Sequence, residues 1–167
     1  MKSVLITGCA GFIGSTLAEV LLSRGFKVTG IDNFDPFYPS QVKKNNLQNL
    51  INNKLFSFHE TNICDGLSVV KEEIETVIHL AAKAGVRPSI KSPAEYIKNN
   101  ISGTQQVLEF MIMRGIKKLI FASSSSVYGN NKNTPFRESD DVDNPISPYA
   151  FTKKAGARAA KADTLHA

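Results

Sequence analysis

One feature of this chain restricts its fold more than any other. The apolar run Val4-Leu5-Ile6 stops at Thr7, and Gly8, Gly11 and Gly14 follow at three-residue spacing before an amphipathic segment opens. A strand that passes through a G-x-x-G-x-x-G loop into a helix places several backbone N–H groups at a positive helix N-terminus. Its glycines permit a tight turn and close approach of a pyrophosphate. Asp32 closes the second apolar run, 18 residues after Gly14. An acidic side chain there is placed to accept hydrogen bonds from ribose hydroxyls and to repel a 2′-phosphate, which favours NAD over NADP.

The rest of the chain repeats the same alternation. Short β-rich runs at 3–7, 27–31, 55–59, 76–80 and 117–122 predict five buried strands. The segments between them carry helical spacing, with Phe12, Leu17, Val20 and Leu21 in the first and Ile97, Ile101, Val107, Leu108 and Met111 in the longest. Alternating β and α units imply an α/β fold: a Rossmann-like, doubly wound parallel sheet of strand order 3-2-1-4-5 with right-handed crossovers. Residues 33–40 and 129–148, rich in Pro and polar groups, are expected as surface loops. Residues 1–154 are expected to form one dinucleotide-binding domain, and 155–167 an Ala-rich helical tail with little area to pack.

Composition excludes several classes. A chain of 167 residues with 42% hydrophobic and 21% charged residues can bury one core and is too apolar for a disordered class. No apolar stretch approaches the roughly 20 residues of a membrane span. No long apolar leader follows Met1-Lys2, so a cytoplasmic location is expected. The two cysteines, Cys9 and Cys64, have neither metal-ligand nor disulfide-framework spacing, which predicts free thiols and no metal. The net charge of +5 is scattered rather than gathered on one basic face, which argues against nucleic acid and fits anionic small molecules.

A second constellation lies downstream. The last strand runs into Ser123-Ser124-Ser125-Ser126, and Tyr149 and Lys153 follow at i, i+4. On a helix these two share a face one turn apart, so an ammonium stabilises a phenolate and Tyr149 becomes a candidate base. Arg87, just past the fourth strand, offers a bidentate fork to a carboxylate or phosphate.

The motifs TGCAGFIG, DNFDPFY, VIHLAAKAGVR, ASSSSVYG and PISPYAFTKK, spread from Ser3 to about Gly156, resemble the extended short-chain dehydrogenase/reductase family, and within it the nucleotide-sugar 4-epimerases, the UDP-glucuronate type above all. The resemblance implies NAD as cofactor. Gly8, Gly11, Phe12, Ile13 and Gly14 would lie at the pyrophosphate, Asp32 and Asn33 at the adenosine ribose, and Asn62 and Ile63 at the adenine. Leu80, Ala81, Ala82 and Asn99 would line the remaining cofactor, which Tyr149 and Lys153 also touch. Ser124, Tyr149 and Lys153 match the catalytic trio, with Ser123 and Ser125 as alternatives for the serine; Arg87 and Ser124 would face substrate. The implied reaction interconverts UDP-glucuronate and UDP-galacturonate by transient oxidation at C4. Other implied readings are a related epimerase or dehydratase such as a UDP-glucose 4-epimerase, and a non-catalytic NAD-binding or interaction module.

Two departures from the family pattern stand out. Asn62 replaces an aspartate expected to accept from the adenine amino group, and its amide oxygen is expected to take over that bond. Family members also continue into a C-terminal substrate domain, so the 167-residue chain is expected to lack that domain and to be inactive alone. The family's homodimer pairs helices here expected over 94–114 and 149–165.

Overall fold

The computed structural model describes residues 2–165; the last two residues of the expected tail lie outside them. Five parallel strands form the sheet: β1 (Ser3–Thr7), β2 (Lys27–Asp32), β3 (Phe56–Glu60), β4 (Thr76–His79) and β5 (Lys118–Phe121). Their order is β3-β2-β1-β4-β5, the predicted doubly wound arrangement. Helices α1 (Phe12–Ser23), α2 (Ser40–Leu47), α3 (Val86–Lys91), α4 (Pro93–Ile97), α5 (Gly103–Met113) and α6 (Pro148–Leu165) flank it. The order reverses beside β1, whose two neighbours leave the sheet toward opposite faces, and this opens a crevice at the strands' carboxyl ends.

Two cores lie on the two faces of the sheet. One gathers Val4, Ile6, Val28, Leu47, Leu50 and Phe56 with Ala18 and Leu22 of α1. The other packs Leu5, Ile31 and Val77 against Val107, Phe110 and Met111 of α5. β1 is buried over all five residues, as a central parallel strand requires.

Four expectations need correction. The five strands are not all buried: among the described residues β5 stands at the edge of the sheet with no strand on its outer side, and Ile120 is 57% exposed. Of the apolar residues at helical spacing in α1, Leu17 and Leu21 pack half-buried against the core, whereas Phe12 and Val20 face outward. Phe12 is 81% exposed, while Gly14, Ser15, Ala18 and Leu22 point inward, because only small residues let the helix approach the loop from which it starts. The helix expected over 94–114 is interrupted: α4 gives way to a wide π-type turn at Lys98–Ser102 before α5 begins. Finally, the Ala-rich segment packs closely as far as Ala160. α6 runs unbroken through position 154, Gly156 and Ala160 are buried, and a Cβ at Gly156 would lie 2.7 Å from the Phe121 ring. Smallness there makes the contact rather than weakening it.

Among the described residues no helix is long and apolar enough to cross a membrane.

Candidate functional site

A cleft of about 220 Å³ lies at the carboxyl ends of β1, β2 and β4. Its floor is the glycine loop. The Gly8 and Cys9 N–H groups both donate to the Ile31 carbonyl, at 2.7 and 3.1 Å, and the Gly11 N–H donates to the Gly8 carbonyl at 3.1 Å. Gly8 has φ of +73°, and a Cβ there would come 2.8 Å from the Ala81 nitrogen. At Gly14 a Cβ would overlap the Gly8 carbonyl oxygen and stand 2.7 Å from Cys9 Cα. Bare Cα positions at Gly8 and Gly14 therefore let the loop pack directly against the residues after β4 and against the first turn of α1, and Gly8 and Gly11 line the cleft. α1 starts without a side-chain cap from Gly11; the Phe12 N–H is engaged by the Tyr38 hydroxyl, which stands over the loop, and the Ile13 and Gly14 N–H groups remain at the positive helix N-terminus.

The acidic end is more heavily engaged than the sequence implied. Asp32 is 6% exposed. One carboxylate oxygen accepts the Phe34 N–H at 2.8 Å and stands 3.3 Å from the Lys43 ammonium; the other accepts the Ala10 N–H at 3.2 Å. Asn33 lines the cleft, and its side-chain oxygen accepts the Asp35 N–H at 3.0 Å. Asn62 and Ile63 close the far side, but the Asn62 amide oxygen already accepts the Cys64 N–H at 2.9 Å, leaving one lone pair for any ligand. Leu80, Ala81, Ala82 and Asn99 complete the wall. Lys83, in the same wall, pairs with Asp35 at 3.3 Å and Glu95 at 2.9 Å, bridging the loops after β2 and β4.

Tyr149 and Lys153 occupy the first turns of α6. Tyr149 is half-buried and meets Tyr96 edge-on, with ring centres 6.2 Å apart. Lys153 is 5% exposed, and its ammonium stands 4.9 Å over the Phe121 ring. Burial pulls Lys153 down from 10.5 to about 8, so it is still mostly charged at pH 7. Ser124 is half-buried at the end of β5 and caps the turn Ser125–Tyr128 through its hydroxyl, which accepts the Ser126 N–H at 3.2 Å. Ser123 and Ser125 are exposed. Arg87 is exposed near the start of α3, away from the cleft lining.

Sequence reasoning missed a buried polar thread that joins these parts. Thr7 Oγ1 accepts the Ala81 N–H at 3.2 Å and lies 2.6 Å from His79 Nδ1. His79 Nε2 is 3.0 Å from Thr104 Oγ1, which donates to the Asn100 carbonyl at 2.7 Å. The Asn100 amide accepts the Lys83 N–H, donates to the Lys83 carbonyl, and donates to Thr152 Oγ1 at 3.1 Å. Thr152 Oγ1 in turn donates to the Tyr149 carbonyl at 2.9 Å. Burial, with Lys153 adding to it, drives His79 down to about 3, so it is neutral. No spacing rule groups positions 7, 79, 100, 104 and 152. Lys43 and Lys83 were missed for the same reason, since their partners lie on other elements.

A 3-2-1-4-5 parallel sheet, with a glycine loop and a helix N-terminus at its switch point, defines a dinucleotide-binding α/β domain. Residues 5–162 match the family described as GDP-mannose 4,6 dehydratase, and the chain belongs to that family. Among its relatives, UDP-glucuronate 4-epimerase of Thermodesulfobacterium geofontis is 44% identical over 158 residues, 92% of this chain and 49% of that protein. Protein CapI of Staphylococcus aureus is 46% identical over 156 residues, 91% of this chain and 46% of that protein. The crystal structure of UDP-glucuronic acid 4-epimerase from Bacillus cereus with UDP-glucuronic acid and NAD superposes with a TM-score of 0.90 at 38% identity, covering 98% of this chain and 52% of that one. The chain thus spans about half the length of the curated relatives it matches.

Proposed function

We propose that this chain carries the NAD-binding part of a UDP-sugar 4-epimerase, with UDP-glucuronate and UDP-galacturonate as the pair interconverted. The observation that carries the reading is the cleft at the carboxyl ends of β1, β2 and β4, which Gly8 and Gly11 of the glycine loop share with Asp32, Asn62 and Ile63. In this reading Gly8, Gly11, Phe12, Ile13 and Gly14 hold the pyrophosphate, and Asp32 and Asn33 the adenosine ribose. Asn62 and Ile63 flank the adenine; Leu80, Ala81, Ala82 and Asn99 border the rest. NAD, when bound, supplies a hydride acceptor and donor for the sugar's C4.

The chain's own residues move the proton. Tyr149 takes the proton from the sugar O4 and returns it, and the Lys153 cation one turn away stabilises the phenolate. Ser124 donates a hydrogen bond to the same oxygen. Arg87 meets the uronate carboxylate through its paired N–H groups. The polar thread through His79, Asn100 and Thr152 fixes the start of α6 against the cleft wall. Exposed Ile97 on α4 and Phe151 on α6 support a homodimer through residues 94–114 and 149–165. Two free thiols, Cys9 and Cys64, support a cytoplasmic location.

The test has two measurements. NADH titration of the purified chain, followed by nucleotide fluorescence, should saturate, and Gly14→Ala should abolish it. Conversion of UDP-glucuronate by the complete protein that contains this chain should vanish in Tyr149→Phe with NADH binding retained. Saturable binding without conversion in that complete protein would remove the epimerase reading and leave the binding one.

A further inference from the structure

We propose that Lys43 tunes cofactor choice at this site. It joins Asp32 in a neutral ion pair at the adenosine end of the cleft, and the pair, not the carboxylate alone, distinguishes a free from a phosphorylated ribose 2′-hydroxyl. The proposal rests on the dinucleotide reading above. Lys43 projects from α2, is 7% exposed, and lines the same cleft as Asp32. Its ammonium lies 3.3 Å from the Asp32 carboxylate and 5.2 Å over the Tyr38 ring.

The accounting of hydrogen bonds leads to this conclusion. A carboxylate offers about four lone-pair sites. Phe34 N–H, Ala10 N–H and Lys43 occupy three of those on Asp32. About one site remains, so Asp32 cannot accept from both ribose hydroxyls. Lys43 carries three donors. One points at Asp32, and among the described residues its ammonium makes no other hydrogen bond. The remaining donors suit a hydroxyl oxygen or a phosphate oxygen equally. A lone buried carboxylate would repel a 2′-phosphate strongly; the same carboxylate beside a buried cation presents almost no net charge. Discrimination against NADP is therefore weaker than Asp32 by itself would impose, and it depends on which member of the pair is present.

The experiment is a set of titrations of the purified chain with NADH and with NADPH, read by nucleotide fluorescence, with circular dichroism of every variant. In Lys43→Met the ratio of NADPH to NADH dissociation constants should rise about tenfold or more, because the carboxylate is left uncompensated. Lys43→Gln keeps two donors without the charge and should shift the ratio in the same direction; it carries the test if the Met variant does not fold. In Asp32→Asn, where the cation stays, the preference should pass to NADPH. The double variant Asp32→Asn/Lys43→Met should lie between the two single variants. A ratio in Lys43→Met and Lys43→Gln within twofold of the native chain, with NADH still bound, would overturn the proposal and leave the dinucleotide reading standing. A native chain that binds neither nucleotide overturns both.

Discussion

Lys153 carries a measurable stability cost, which Lys153→Met should remove. The lysine is 5% exposed and burial alone brings it from 10.5 to about 8. A depression of that size corresponds to about 3 kcal/mol by which folding disfavours the charged form, at roughly 1.36 kcal/mol per unit. Methionine keeps an unbranched stem of similar volume against Phe121 and removes the charge. Part of the gain is returned, since the ammonium stands 4.9 Å over the Phe121 ring and such a contact contributes about 1 kcal/mol. The variant should therefore be about 2–3 kcal/mol more stable at pH 7.

The gap also has a defined pH dependence. Below pH 8 the lysine is protonated in both the folded and unfolded chain, and the full penalty is present. Between about 8 and 10.5 the unfolded state still holds a proton that the folded state has released, so stability of the native protein rises with pH relative to the variant. By pH 9.5 the gap should shrink to about 1.4 kcal/mol, and above 10.5 it should vanish. Urea denaturation followed by circular dichroism measures this directly. With a slope of about 2 kcal/mol per molar, the midpoints should differ by about 1–1.5 M at pH 7 and by well under 1 M at pH 9.5. Every other group that titrates in this window is common to both proteins and cancels. A variant less stable than the native chain at pH 7, or a gap that does not close with pH, would refute the assignment of Lys153 as a buried, destabilising cation.

Gly14→Ala should destabilise the chain by about 2–3 kcal/mol, read from urea midpoints, because its Cβ overlaps the Gly8 carbonyl and stands 2.7 Å from Cys9 Cα, both backbone groups that cannot swing aside. Native thiol labelling at pH 8 should modify Cys64, which is half-exposed, and leave Cys9 unmodified until denaturant is added, since burial and the neighbouring Asp32 push the Cys9 thiol far up. His79 is neutral when folded, held down to about 3, so stability should fall as pH drops below 6.5, by at most about 1.4 kcal/mol per pH unit, and His79→Gln should flatten that slope in urea titrations at pH 4–7. Arg87→Ala should raise the Michaelis constant of the complete enzyme for UDP-glucuronate more than for UDP-glucose, because only the former carries a carboxylate for the guanidinium; equal effects on both would remove Arg87 from substrate recognition.

The fold was legible because it is written in local patterns. A strand such as Val4-Leu5-Ile6 reads as a short apolar run, and a loop such as Gly8 to Gly14 reads as glycines at a fixed spacing, so the strand order and the cradle could both be anticipated. What the pattern could not supply was depth. Phe12 and Ile13 are apolar and lie at helical positions, yet they are 81% and 67% exposed, because the helix turns its smallest residues inward where it must approach Gly8. The same physics misled at the other end: the Ala-rich composition suggested a poorly packed tail, while the absence of a side chain at Gly156 is what allows α6 to lie against Phe121. An apolar side chain marks a face only where there is space to fill, and close helix contacts reverse the rule.

Charge was the less legible half of the site. Asp32 was anticipated from its place at the end of β2, but its partner Lys43 belongs to another element and reads in sequence as one of a pair of surface lysines, Lys43-Lys44. The two are brought together because α2 runs back past the end of β2. Lys44, one residue further on, is exposed. Burying Lys43 is tolerable only with a counter-charge at hand. Lys83, half-buried in the cleft wall, is paired as well, with Asp35 of the loop after β2 and Glu95 of α4. Lys153 is the exception, with an aromatic face and no acidic partner at hydrogen-bond distance among the described residues, and burial pulls it well down. A fold that pairs Lys43 and Lys83 with carboxylates and leaves Lys153 without one concentrates its electrostatic cost one helical turn from Tyr149, the residue we propose as the base.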